Sequence, residues 1–200
     1  MEVSVVRQQA WIMAACVALG ATSPALASSV QLDGSEWAQV DKGEIVIHLG
    51  GKSGTYRMYE AVGQVDAKPE QVYKMLTDFD NHASIFSKVK TSKVQKRLSA
   101  TTVLLRKDLD LPWPMTGKWN LSEATVKPAQ FGYSWKSIDG NVGKQYGQYE
   151  TITRGGKSVV VYQIWYDMAT SGMPQMIFDQ AQRVALPGLI KDIRKAAPKY

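Results

Sequence analysis

Two histidines and a few carboxylates are the residues best suited to proton transfer, and their spacing matches no metal or nucleophile motif. His48 stands in an alternating run and reads as a sheet or surface residue. His82 lies in a polar break beside Asp78 and Asp80. That trio suits a ligand-head contact or an acid–base group, and it suits loop polarity and helix capping equally well. Glu60, Glu123 and Glu150 become general acids only where burial raises their pKa. There is no Gly-x-Ser-x-Gly elbow and no Gly-rich phosphate loop. The sequence therefore assigns no catalytic residue and implies no metal or cofactor.

The chain has 200 residues, 44% hydrophobic and 21% charged, with 24 Lys+Arg against 18 Asp+Glu. An ordinary apolar fraction excludes wholesale disorder, and one Cys excludes an internal disulfide scaffold. A formal charge of +6 with no recognisable binding module argues against nucleic acid. At the N-terminus, Arg7 precedes an apolar run from Ala10 to Thr22, and Ala25-Leu26-Ala27 gives a small-x-small cleavage pattern. This reads as a signal peptide over residues 1–27, so the exported chain starts at Ser28 in the periplasm or outside the cell. The alternatives are an uncleaved anchor and a lipid-modified Cys16. After cleavage no Cys remains, which removes thiol chemistry.

Residues 28–42 are polar and read as irregular, with Asp33-Gly34 as a turn signal. Ile45 and Ile47 then alternate with Val46 and His48, and Gly50-Gly51 marks a hairpin turn into a strand over 55–65. Pro69 opens a short amphipathic helix over 68–79 carrying Val72, Tyr73, Met75, Leu76 and Phe79. Strands follow near 88–98, 101–109, 116–126, 130–138, 144–154 and 157–168, the last two joined through Gly155-Gly156. A long helix over 173–197 closes the chain, with Ile177, Ala181, Val184 and Ala185 on its apolar face, Leu189, Ile190 and Ile193 continuing that face, and a kink expected at Pro187. Strands in series with helices at the ends predict an α+β fold with an antiparallel sheet.

Residues 59–86, YEAVGQVDAKPEQVYKMLTDFDNHASIF, resemble the opening strand, helix and loop of the START-like, helix-grip superfamily, through Ala67, Pro69, Val72, Asp78, Phe79 and Phe86. That superfamily takes in START lipid-transfer domains, polyketide cyclases or dehydrases and coenzyme Q-binding proteins. Residues 111–119, LPWPMTGKW, look like its Pro-x-Pro segment, with Lys118 and Trp119 where an Arg-Asp pair often stands. Residues 171–197 are similar to its closing helix. The resemblance implies one domain over 43–200, a curved antiparallel sheet wrapped around the C-terminal helix with an apolar cavity between them.

An apolar cavity takes apolar ligands. Residues of the right type to line it are Trp113, Trp119, Tyr133, Trp135, Tyr149, Tyr162, Ile177 and Ala181, with Asp78, His82, Phe86 and Met115 at its mouth. The function expected is binding or carriage of a lipid, isoprenoid or polycyclic compound. The alternatives are a cyclase/dehydrase-type enzyme on an apolar substrate and a non-catalytic periplasmic interaction protein. Lys88, Lys90, Lys93, Lys96 and Arg97, with Lys191, Arg194, Lys195 and Lys199, read as solvated faces that could also make weak contact with an anionic membrane surface.

Overall fold

The computed structural model describes residues 30–111 and 115–200, so the expected signal peptide and Trp113 lie outside the described residues. Helix α1 (Gly34–Asp41) leads into β1 (Ile45–Ser53) and β2 (Tyr56–Val65). Helix α2 (Pro69–Thr77), a 3-10 turn over Phe79–Asn81 and the short α3 (His82–Ile85) carry the chain to β3 (Val89–Arg97). Strands β4 (Thr102–Leu109), β5 (Trp119–Lys127), β6 (Gly132–Gly140), β7 (Gln145–Arg154) and β8 (Lys157–Asp167) then run as a meander. Helix α4 (Gln175–Ala196) follows, and a 3-10 turn over Ala197–Lys199 ends the chain.

The eight strands form one curved antiparallel sheet in the order β1-β2-β8-β7-β6-β5-β4-β3. Strand β8 closes the meander onto β2, with Tyr162 opposite Ala61 and Tyr149 opposite Tyr162. Its alternation sorts the core into two clusters. Val160, Tyr162, Ile164 and Tyr166 join the cluster beneath α2 and α4, while Val159 and Val161 join Val40, Val46 and Val62 on the other face. Apolar residues on both faces are what a strand covered on both sides requires.

The cover on that second face is α1, so residues 28–42 are not irregular throughout. Asp33 accepts from the backbone N–H groups of Ser35 and Glu36, and the Glu36 carboxylate accepts from Asp33 N–H at 2.9 Å. This reciprocal capping box turns an apparent Asp-Gly turn into a helix start. Arg154 holds the far end of α1 through a two-point contact with Asp41 at 3.0 and 3.1 Å, and lies 4.4 Å above the Trp37 ring.

Two further expectations need correction. The turn between β1 and β2 falls at Gly54-Thr55, and Gly50 (φ 97°) instead marks a register shift within the hairpin. One class of bulge places a residue at positive φ, a conformation glycine adopts without strain. Helix α4 is one 22-residue helix with Pro187 inside it, as expected, but its buried face is Phe178, Leu186, Ile190 and Ile193. Ile177 is 54% and Val184 70% exposed, so these two members of the expected stripe point to solvent, while its Ile190 and Ile193 are buried as expected. Ala181 is half-buried at its margin. The inward face carries Gln182 among its apolar residues, which disguises it in the sequence.

Candidate functional site

The space between the sheet and α4 is lined by aromatic rings from three adjacent strands. Tyr133 and Trp135 on β6, Tyr149 on β7 and Tyr162 on β8 all point inward because they share one phase of the strand alternation. Trp135 stacks on Tyr162 at 5.7 Å and 20°, and Tyr149 lies 4.8 Å from Tyr162 and 5.1 Å from Tyr133. Phe86 closes this group against Tyr149 at 6.3 Å. At the end nearer the start of α4, Phe178 packs against Tyr166 at 4.6 Å and Tyr59 at 5.4 Å.

Burial pushes the Tyr133, Tyr149, Tyr162 and Tyr166 phenols up, so they remain neutral hydrogen-bonding groups at physiological pH. Among the described residues the Tyr149 and Tyr162 hydroxyls have no hydrogen-bond partner, yet they are not completely buried. Tyr166 on β8 and Lys107 on β4 are half-buried on the same inward phase.

Four of the cavity residues expected from sequence, Tyr133, Trp135, Tyr149 and Tyr162, therefore come together. Trp119 does not join them. It lies in the opposite phase of β5, where the Arg106 guanidinium covers its ring at 4.2 Å. Ile177 also stands outside, on the solvent side of α4.

The mouth candidates take other places. Asp78 ends α2 and accepts from Asn81 Nδ2 and from the Tyr200 hydroxyl, each at 2.8 Å, so it ties down the C-terminus. Asp80 accepts from Val94 N–H at 2.7 Å. His82 is fully buried, donates from Nε2 to Leu76 O at 2.9 Å and packs edge-on to Phe86 and Phe79. Burial, reinforced by the nearby Lys107 charge, holds its pKa well below 6.5, so it is neutral inside the core. Phe86 is buried at the inner wall, and Met115 is half-buried in the β4–β5 connection.

The residue that spacing missed is Lys107. It follows Val103 and Leu105 on the inward phase of β4. Its ammonium lies 3.5 Å from the Tyr133 hydroxyl and about 6 Å from the Phe86 and Tyr133 ring centres. The period-two pattern of β4 held the only signal, and Leu104, Arg106 and Asp108 form an equally plausible phase.

A deep aromatic wall gripped by one long helix decides the kinship when set beside the sequence match. The profile of the family described as polyketide cyclase/dehydrase and lipid transport matches residues 65–194. The chain belongs to that family.

Solved structures agree in fold. A STAR-related lipid transfer protein fragment from Xanthomonas axonopodis aligns with a TM-score of 0.59 at 15% identity, over 76% of this chain and 98% of that one. A START superfamily protein from Mycobacterium smegmatis gives 0.61 at 14% identity, over 71% and 97%. The Zhui aromatase/cyclase from a Streptomyces species (R1128) gives 0.57 at 14% identity, over 72% and 92%. No curated protein matches the sequence. Identities this low speak for the helix-grip fold of the polyketide cyclase/lipid transport family and leave the chemistry to this chain's own residues.

Proposed function

We propose that this protein binds a hydrophobic small molecule between the sheet and α4 and releases it chemically unchanged. The observation that carries this is the aromatic wall of Trp135, Tyr149 and Tyr162, with two phenol hydroxyls open to a ligand and no partner among the described residues. Rings supply contact area and the hydroxyls orient a polar end. Each buried CH₂ adds about 0.8 kcal/mol, so an acyl, isoprenoid or polycyclic body needs few polar contacts. The same fold hosts a STAR-related lipid transfer protein and an aromatase/cyclase among the solved structures it resembles, which supports this reading.

The site of action is outside the cytoplasm, after removal of residues 1–27, with the exposed lysines of β3 available for weak contact with anionic lipid. Organic extraction of protein purified from its own host, followed by mass spectrometry, tests the binding. One apolar compound per chain supports carriage. Clean extracts from a protein that also takes up no added apolar ligand contradict it.

A further inference from the structure

Within the apolar interior there is one polar locus that packing does not require. Lys107 on β4 stands directly opposite Asn120 on β5, on the same face of the sheet. Its ammonium has a single polar contact, the long one to Tyr133. Among the described residues no carboxylate forms an ion pair with it. Two buried atoms beside this amine also lack partners, Asn120 Oδ1 and His82 Nδ1. An inward-facing, half-buried amine without an anion is costly to keep unless an anion completes it, whereas the two orphaned atoms are acceptors that call for a donor such as the ammonium itself.

We propose that Lys107 is the anchor for the carboxylate of an apolar acid whose hydrocarbon body lies along Trp135, Tyr149 and Tyr162. This rests on the pocket reading above and names the ligand class within it. A carboxylate supplies the missing charge at the one point where the wall carries an amine, and the Tyr133 hydroxyl can donate to its second oxygen.

The amine also gives the pairing a pH signature. Burial lowers Lys107 to about 7. The other titratable groups facing it are His82 from α3, held neutral by burial, and Tyr133 and Tyr149 from β6 and β7, held protonated by burial. From α4, Asp192 is occupied with Ser87 N–H at 2.8 Å. Lys107 is thus the group in this locus that changes charge between about pH 6 and pH 8.

The test compares dodecanoate with methyl dodecanoate on the full mature chain by calorimetry or competitive fluorescence. The acid stays ionised across this range. For the acid, affinity should fall about tenfold from pH 6 to pH 8 as Lys107 loses its proton, while the ester stays level. At pH 6 the acid should bind at least about tenfold tighter than the ester, and Lys107→Met should erase that preference. Equal binding of acid and ester by the unmutated protein overturns the Lys107 proposal and leaves the pocket standing. Failure of both ligands to bind overturns the pocket reading, and this proposal with it. The comparison on unmutated protein decides the matter even where the variant does not fold.

Discussion

The Tyr59 hydroxyl donates to the Asp179 carboxylate at 2.7 Å, joining β2 to the first turns of α4 across 120 residues of sequence. Burial of Tyr59, with the adjacent carboxylate, holds its phenol well above 10, so the bond persists across the physiological range. Phe178, one residue before Asp179, packs on the same Tyr59 ring. The start of α4 is therefore held to the sheet by one ring and one hydrogen bond, and this is the part of the helix with exposed Met176 and Ile177.

Removing that bond should loosen the helix start. Tyr59→Phe keeps the ring and loses the donor, so it should cost about 0.5–1.5 kcal/mol in stability. Exchange of a bound apolar ligand should speed up relative to wild type, measured by stopped-flow displacement. Unchanged exchange with unchanged melting temperature would show that this bond does not hold α4 closed.

The aromatic wall should carry affinity and the Asp78 loop should not. Trp135→Ala removes a stacked ring and should weaken apolar ligand binding by roughly 10–100-fold, in line with about 1.5–3 kcal/mol for a large apolar side chain. Asp78→Asn should change binding less than tenfold, or about 1.4 kcal/mol, because that carboxylate holds Tyr200 and Asn81. The reverse ranking in a titration would move the site to the loop.

Gly147 gives Trp135 its place. A Cβ there would lie 2.5 Å from the Trp135 ring and closer still to the Gln163 carbonyl oxygen. Gly147→Ala should cost about 1–3 kcal/mol through overpacking. Its melting temperature should fall, and a variant as stable as wild type would mean that Trp135 does not lie over β7.

His48 makes α1 pH-sensitive. Burial opposes its charge, but hydrogen bonds to Glu36 at 2.7 Å and Glu60 at 2.9 Å outweigh that, and its pKa stands above 6.5. A raised folded-state pKa stabilises the fold below the unfolded value, and that contribution is lost as pH rises through the folded value. The melting-temperature gap between wild type and His48→Gln should therefore be wider near about pH 5.5 than near about pH 8.5. An equal gap at both would contradict the bridge.

The fold was legible because β8 and the 59–86 segment carry local patterns that tertiary packing leaves intact. Val159 to Tyr166 show period-two alternation, and Ala67, Pro69 and Val72 carry the helix-start pattern of the superfamily. Helix faces were harder. In α4 the buried face includes Gln182 and skips to Leu186, while Ile177 and Val184 look apolar yet face solvent. Trp119 has the composition of a wall residue, and only the phase of β5 shows that it lies outside. Lys107 was invisible because charge normally signals exposure, and nothing local marks a lysine as inward-facing. The α1 capping box was present as Asp33 with Glu36, but Gly34 beside it imitates a turn.

The outer face of the sheet offers a competitor for ligand, a surface groove of about 380 Å³ bounded by Tyr146, Trp165, Gln148, Lys136 and Glu123. A dodecanoic acid carrying a photoreactive diazirine on its chain, irradiated in complex with the protein and mapped by peptide mass spectrometry, separates the two locations. Adducts on Tyr149, Tyr162, Phe178 or Leu186 are the predicted result, Trp135 being shared with the groove. Adducts confined to Tyr146 and Trp165 would contradict binding between the sheet and α4.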